Sequence, residues 1–268
     1  MKRDELTDGA MAGVNRPTLA ARKLLMAIVA ASALWQLSTA SVATPLTDAV
    51  DAGDISLVRV LINQGAQVNE KAEDGSAPLH HILSIKYTGD LAAIAEIAEY
   101  LIEHGANIDE KDGTGNTFLF SIVAAEAAVS AKKRDGQQPG AEEQRRIADF
   151  RTAATTIVTM LLDRGADANA KSAYGGATPL LLSALGLDNT ISKLLIAKGA
   201  NVNAQTDEGL TPLHFAAATG SEANATLLIA HGAKVNARIK SGETPLAIAI
   251  KEKHPEVAAL IRAAGGTE

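Results

Sequence analysis

The histidines are the residues best suited to chemistry, and their spacing decides which chemistry is open to them. His80 and His81 are adjacent, but no His, Asp or Glu lies four residues away in the same predicted helix, as paired zinc ligands require. His104 and His231 each precede a glycine that ends a predicted helix, where a cation is favourable. The stretch 112–116 reads DGTGN and resembles a calcium loop, but no downstream glutamate completes it. These patterns predict structural roles and no metal site.

Other catalytic patterns are missing as well. The chain has no cysteine, which excludes disulfides, thiolate metal sites and cysteine nucleophiles. Its serines form no nucleophile elbow, and its glycines form neither G-x-G-x-x-G nor a P-loop. We therefore predict no catalytic residue, no cofactor and no enzyme activity.

The elements around these residues are predicted to be helices. Of the 268 residues, 47% are hydrophobic but only 3% are aromatic, and alanine is abundant. This composition favours a core of thin, closely packed helices over a β-sandwich.

Residues 1–43 are expected to form a cleaved signal peptide, which leaves residues 44–268 as the folded domain. A basic stretch precedes the apolar run Leu24–Leu37, and small residues follow up to Ala43, where cleavage is predicted. The run has 14 residues, whereas a membrane-spanning helix needs about 20, so an uncleaved anchor is the alternative. Either Met1 or Met11 could be the start. The protein is therefore expected in the periplasm or outside the cell, without stable membrane insertion after cleavage.

The net charge of the predicted folded domain limits the classes of molecule that it is expected to bind. The first 43 residues hold five of the 25 basic and three of the 31 acidic residues, so the remainder carries a net charge of −8. A negative domain argues against nucleic acid or an anionic membrane as the main partner.

Two short motifs recur along the chain and define a repeat. Gly-Ala is followed four residues later by Asn or Asp, and a Thr-Pro-Leu motif or a variant of it marks each unit. The last clean spacings are 33 residues. The Gly-Ala motifs begin at Gly65, Gly105, Gly165, Gly199 and Gly232, and the other motifs begin at Thr44, Ala77, Thr117, Thr178, Thr211 and Thr244.

Each motif has a local physical reason. Threonine caps the first helix of a unit, and proline at the first helical position loses no hydrogen bond. Glycine supplies the left-handed turn that ends the second helix. Apolar residues eight, five and four positions before that glycine form one stripe, which a unit can bury only against its neighbours. The stripe comprises Leu57, Val60, Leu61, Ile97, Tyr100, Leu101, Ile157, Met160, Leu161, Ile191, Leu194, Leu195, Val257, Leu260 and Ile261.

The motif at Thr211-Pro212-Leu213-His214 and the 33-residue period resemble the ankyrin repeat. The resemblance covers residues 44 to about 265 and implies an all-α solenoid of helix-turn-helix units with short β-turn fingers between them. It also implies that His214, and His80 in the same position, brace neighbouring loops by hydrogen bonds. The predicted units are about 44–71, 72–111, 112–171, 172–204, 205–237 and 238–268.

Two features depart from the plain repeat. Asn224 replaces an apolar residue of the stripe, and we expect a slightly rotated helix or a backbone carbonyl to satisfy its amide. The second and third units carry 7 and 27 extra residues between their two helices. The larger insertion predicts two overlong antiparallel helices joined by a turn near 135–140, with a charged tip that is either simply solvated or a partner contact.

In ankyrin-like folds partners usually contact the finger tips and the exposed face of the first helices. Carried over by position, this resemblance places the binding surface on all five fingers, from the one after the first unit to the one that opens the last unit. Tyr174 is the favoured anchor, since tyrosine is common at interfaces, although it could also pack over the next turn. The predicted contact residues are Glu73, Asp74, Asn116, Tyr174, Asp207, Glu208, Leu210, Lys240 and Glu243.

The predicted function is therefore a non-enzymatic, monomeric protein–protein interaction module of the periplasm, serving as an adaptor, an accessory factor or an immunity-type inhibitor. A secreted effector that binds host proteins is an alternative, which differs in its destination but not in the physical basis of binding. A hydrolase hidden in the insertion is the alternative of a different class, but the insertion offers only Glu, Lys and Arg in helical surface order.

Overall fold

The computed structural model describes residues 44–87, 91–132, 140–173, 175–186 and 188–268. The predicted signal peptide, Tyr174 and most of the turn near 135–140 lie outside these residues. Within them the chain forms six pairs of α-helices, with a 3-10 helix, Ile82–Tyr87, in the second pair. The pairs are α1 Pro45–Asp51 and α2 Ile55–Asn63; α3 Pro78–His81 and α4 Leu91–Glu103; α5 Phe118–Lys132 and α6 Ala141–Asp163; α7 Pro179–Ser183 and α8 Thr190–Ala197; α9 Pro212–Thr219 and α10 Glu222–Ala230; and α11 Pro245–Lys251 and α12 Pro255–Ala263.

The recurring motifs start and end these helices, but the predicted threonine cap is missing at Thr178, whose buried hydroxyl has no hydrogen-bond partner among the described residues. Thr44 and Thr244 are extended N-caps whose hydroxyl oxygens each accept a hydrogen bond from the backbone N–H three residues later, at 3.2 Å. At the other end, Gly199 follows α8 with φ +84°, a left-handed conformation that costs glycine little.

The core runs through the stack between successive pairs. The leucine of each Thr-Pro-Leu motif is at most 2% exposed in all six pairs. Only one isolated β-bridge, Lys111 to Thr117, occurs among the described residues. The all-α prediction is thus confirmed, and neighbouring pairs bury the apolar stripe between them. These leucines are Leu46, Leu79, Leu119, Leu180, Leu213 and Leu246.

In the later pairs the stripe residues are buried or, five positions before the glycine, half-buried, but in the first pair the prediction is wrong for two residues. Leu57 is 42% exposed and Val60 is 48% exposed. Both belong to α2, and no helix pair precedes it among the described residues. The apolar stripe of a second helix is therefore covered only where another helix pair precedes it in the stack.

The larger insertion lengthens both helices of the third pair, as predicted. The first nine residues of α6 are almost all exposed, so this end of the helix extends beyond the stack. Phe150 is 4% exposed and begins the buried part. At that level Arg151 donates to the buried Glu126 of α5 at 3.0 Å and also pairs with Asp188, next to α8. This arginine fixes the base of the hairpin to the following pair.

The asparagine or aspartate of the Gly-Ala motif links each pair to the next along one edge. Asn169 donates to the Gly199 carbonyl at 3.0 Å and accepts from the Asn201 N–H at 2.8 Å. Asn69, Asn203 and Asn236 make the same two bonds. Asp109 accepts from the Asp167 N–H at 3.0 Å but has no N–H to give to the Gly165 carbonyl.

Replacing Asp109 by Asn should stabilise the protein by about 1 kcal/mol, because it adds the missing donor and removes a negative charge near the C-terminus of α6. Urea denaturation followed by circular dichroism measures this change. The control is Asp163→Asn, which removes a charge at the same helix end, and with it an exposed ion pair to Lys198 at 2.9 Å, without completing the ladder. An equal gain in both variants would show that charge alone is responsible.

Candidate partner-binding surface

Five fingers connect successive helix pairs, and in each a backbone hydrogen bond joins the first residue to the last. In the 206–210 finger the Thr206 N–H donates to the Leu210 carbonyl at 3.0 Å, and the Leu210 N–H returns a bond to the Thr206 hydroxyl at 3.1 Å. The closing bonds of the others measure 2.9 to 3.1 Å. The fingers are residues 72–76, 112–116, 172–177, 206–210 and 239–243.

Successive fingers touch, so they form one row. The Asp207 N–H donates to the Gly175 carbonyl at 2.9 Å, and the Lys240 N–H donates to the Glu208 carbonyl at 3.0 Å. Between the first two fingers, Gly113 lies so close to Asp74 that a Cβ on the glycine would fall 1.7 Å from the Asp74 carbonyl oxygen. Direct contact of this kind holds the tips in a fixed spacing.

The 112–116 finger is organised by its own side chains, which changes the role of one predicted contact residue. Asp112 accepts from the Thr114 N–H at 2.8 Å and from the Asn116 N–H at 3.0 Å. The Asn116 amide donates to the Thr114 hydroxyl at 2.8 Å. Asn116 is only 7% exposed, so it lies inside the turn rather than at the tip where it was expected.

The other predicted contact residues divide into two groups. Glu73, Asp207, Glu208 and Lys240 are exposed, whereas Asp74, Leu210 and Glu243 are half-buried. Leu210 packs against the core. Glu243 accepts hydrogen bonds from Lys251 and Ser241, which lower the pKa of its carboxyl.

The exposed charges differ in whether a partner within the chain already satisfies them. Lys240 Nζ lies 3.3 Å from Glu208, and both side chains are about two-thirds exposed. Within the described part of the chain, neither Glu73 nor Asp207 has an ion pair. These two carboxylates are the fingers' most available acidic groups.

A buried histidine lies beneath two of the fingers. His214 Nδ1 bonds to the Thr211 hydroxyl at 2.8 Å and accepts from the Thr211 N–H at 3.1 Å, and its ring lies near the backbone of Ala237 and Glu243. Burial lowers the pKa of His214 to about 4. His214 therefore bonds its own helix cap, whereas its Nε2 has no hydrogen-bond partner among the described residues, so the expected hydrogen bonds to neighbouring loops are not seen.

His80 occupies the same position in the second pair but lacks the same bond. It is fully buried, and neither ring nitrogen has a hydrogen-bond partner among the described residues. Ala77 stands where the fifth pair has Thr211, so no hydroxyl faces the ring. Burial lowers the pKa of His80, and the nearby Asp112 carboxylate opposes that change.

Replacing Ala77 by Thr should stabilise the protein by about 1 kcal/mol, because the new hydroxyl caps α3 and gives His80 a partner. Thr117, Thr178, Thr211 and Thr244 fit the same buried position. Thermal and urea unfolding would measure the gain. Ala77→Val, which has the same shape without a hydroxyl, is the matched control, and an equal gain there would contradict the hydrogen-bond account.

One contact near the fingers was not anticipated from the sequence. His81 Nδ1 lies 3.1 Å from Asp51 of α1, and Nε2 lies 3.8 Å from Asp74 of the first finger. The histidine therefore joins the first helices of two pairs to a finger. No local pattern around His81 marks this contact, because Asp51 is 30 residues away.

Two further features, a metal-binding cluster and a membrane-spanning helix, are absent from the described ranges. Across them no group of three or more His, Cys, Asp or Glu side chains could hold a metal ion. No described helix combines the length and apolar character needed to cross a membrane. In the described part of the insertion, Glu126 and Arg151 form an ion pair with each other.

Family models agree with the geometry. The model described as "Ankyrin repeats (3 copies)" matches residues 149–239 and 191–267, and the model described as "Ankyrin repeat" matches residues 43–73 and 74–113. This chain belongs to the ankyrin-repeat family. The matches leave out residues 114–148, which hold most of the large insertion.

Two kinds of known protein resemble this ankyrin-repeat chain. The crystal structure of an ankyrin repeat domain from Acinetobacter baumannii AYE superposes with a TM-score of 0.62 at 28% identity, covering 83% of this chain and 98% of that one. Potassium channel AKT1 of Oryza sativa, from subspecies indica and japonica alike, is 38% identical over 69 residues. These are 26% of this chain but only 7% of the channel, so the chain spans a small part of that relative.

Proposed function

We propose that this protein is a non-enzymatic binding module of the cell exterior or periplasm, which holds another protein on its finger row. Ankyrin repeats are protein–protein interaction modules, and the fold is typically a non-catalytic scaffold. The observation that carries the proposal is the row itself, in which successive fingers lie in contact and the last three are joined by backbone hydrogen bonds, while Glu73 and Asp207 are exposed and have no ion pair among the described residues.

The mechanism follows from rigidity and charge. A row that is ordered before binding loses little conformational entropy when a partner docks, so more of the contact energy appears as affinity. Free carboxylates at Glu73 and Asp207 favour a partner with basic groups at matching spacing. Glu73 lies in the first finger and Asp207 in the fourth, beside the finger of Lys240, which pairs with Glu208, so the positions of the two free carboxylates along the row set the orientation of the partner.

The cellular setting is part of the proposal and rests on the leader-like pattern of residues 1–43. In the periplasm the module would serve as an adaptor, an accessory factor or an immunity-type inhibitor. Outside the cell it would serve as an effector that binds host proteins. Fractionation of cells that express the full chain distinguishes these settings.

Affinity capture with the tagged full chain tests the binding role. We expect a stoichiometric protein partner from periplasmic extract or culture medium, identified by mass spectrometry. Glu73→Lys combined with Asp207→Lys should reduce its recovery at least tenfold, and Tyr174→Ala tests the predicted aromatic anchor separately.

The matched control reverses two exposed charges away from the fingers, Glu99 on α4 and Glu222 on α10. It changes net charge by the same amount and should retain the partner. Equal loss in both double variants, or retention in both, would contradict the assignment of the finger row. In the second case the exposed start of α6 becomes the candidate surface.

A further inference from the structure

Exposed large apolar side chains are rare in this protein, and their positions are not scattered. In the described part of the chain there are three, Leu57 at 42% exposure, Val60 at 48% and Ile250 at 39%. Leu57 and Val60 belong to α2 of the first pair, and Ile250 belongs to α11 of the last pair. All three therefore lie in the two terminal pairs of the stack.

The repeat shows what normally covers Leu57. The residue eight positions before the terminating glycine is at most 4% exposed in every later pair, including the last. Since the last pair buries this position and the first does not, the cover comes from the preceding pair. Asn224, which holds this position in the fifth pair, confirms the direction, because its amide donates to the Gly186 and Asp188 carbonyls of the pair before it. The buried equivalents are Ile97, Ile157, Ile191, Asn224 and Val257.

The same comparison shows what normally covers Ile250. It lies six residues after the threonine that caps its helix, and in every earlier pair the residue at this position is at most 6% exposed. Since the first pair buries this position and the last does not, the cover comes from the following pair. The buried equivalents are Val50, Leu83, Val123, Ala184 and Ala217.

The exposed surface of the first pair and that of the last pair thus correspond to the two sides of an internal junction between successive helix pairs. We call the surface around Leu57 and Val60 the head face and the surface around Ile250 the tail face. Terminal repeats of solenoids usually carry polar outer faces that keep them soluble. Here each face keeps the apolar residue that an internal junction would bury.

Charge also distinguishes the two faces. The first helix pair carries Asp48, Asp51 and Asp54 against Arg59, which is itself paired with Glu96. The last pair carries Lys251, Lys253 and Arg262 against Glu256 and the buried Glu252, and Lys251 and Arg262 are themselves paired with Glu243 and Glu268. Among the described residues Asp48, Asp54 and Lys253 have no ion pair, so contact between two head faces would bring like charges together, whereas head-to-tail contact would bring Lys253 towards Asp48 and Asp54.

We propose that the tail face of one copy docks on the head face of a second copy, so that the stack continues from chain to chain. The contact is heterologous, and its repetition produces short linear chains rather than a closed dimer. With three apolar side chains at the contact, association is weak and depends on concentration. The monomer expected from the sequence is then the form present in dilute solution.

Sedimentation velocity on the full chain, from micromolar to millimolar concentration, tests this proposal. Leu57→Glu with Val60→Glu blocks the head face, and Ile250→Glu blocks the tail face. Because these positions are exposed, both variants should keep the circular dichroism and melting behaviour of the wild type. If a glutamate variant fails to fold, serine at the same positions replaces it.

The decisive sample is the mixture of the two variants. Each variant alone should remain monomeric, whereas the mixture should form a one-to-one dimer, because one open head face and one open tail face remain. High salt should weaken this dimer and the wild-type assembly alike. A wild type that stays monomeric throughout, a mixture that does not associate, or an Ile250→Glu variant that self-associates through its head face would each overturn the proposal.

Discussion

Replacing Asn224 by leucine is expected to lower the free energy of unfolding by about 3 kcal/mol, although leucine is the kind of residue that the repeat pattern places there. Asn224 is fully buried, and its amide donates to the carbonyls of Gly186 at 2.9 Å and Asp188 at 3.0 Å. Its oxygen accepts from the Ser192 hydroxyl at 2.6 Å. Leucine would remove the donor to the buried Gly186 carbonyl and to the Asp188 carbonyl and would leave Ser192 bonded to Ser183 alone, and the loss of these bonds exceeds the gain from apolar burial.

Urea denaturation of the two proteins measures this difference. The control is Ile97→Leu, a volume-conserving change at the equivalent buried position of the second pair, and we expect it to cost less than about 1.5 kcal/mol. Ser192→Ala combined with Asn224→Leu should cost less than the sum of the two single changes, because the pair shares a hydrogen bond. An Asn224→Leu variant as stable as the wild type would show that the polar network contributes nothing.

Acid is expected to destabilise the fold through His214, by up to about 3 kcal/mol, as pH falls from about 6.5 to about 4. Burial lowers the pKa of His214 from 6.5 to about 4, so the unfolded chain binds a proton at a higher pH than the folded chain. The stabilisation is therefore complete above pH 6.5 and is lost as the pH approaches the folded value. His80, whose pKa burial also lowers, adds to the loss in the same direction.

Unfolding free energies at pH 7 and pH 4.5, measured for the wild type and for His214→Gln, isolate this contribution. Glutamine does not titrate, and at this helix position it can return a hydrogen bond to the backbone of the capping Thr211. We expect the variant to lose clearly less stability between the two pH values. Parallel losses in the two proteins would contradict a titrating His214 and assign the acid sensitivity to His80 or to the surface carboxylates.

The sequence was sufficient for the fold because each repeated motif has a local cause. Caps at threonine and turns at glycine depend on neighbouring residues, and the 33-residue period fixes how units stack. For the amide of Asn224, the sequence could predict only the kind of acceptor, a backbone carbonyl, and not which residues supply it. The acceptors are carbonyls of the short loop before α8, whose shape depends on the stack and not on a local pattern.

The binding surface was predictable only in outline. The repeat located the fingers, but it could not show that Asn116 turns inward to bond Thr114, since both residues are ordinary in a turn. The stripe pattern of α2 is the same as that of later second helices such as α4 and α12, so it could not show that Leu57 and Val60 lack a covering neighbour. Burial at these positions depends on the number of units rather than on the residues themselves.

Footprinting of the captured complex with hydroxyl radicals tests the central claim most directly. The account predicts that partner binding protects side chains in the fingers, residues 72–76, 112–116, 206–210 and 239–243, while α10 and the exposed start of α6 keep their reactivity. Protection confined to α10 or to the start of α6, with fully reactive fingers, would contradict a finger-row binding protein.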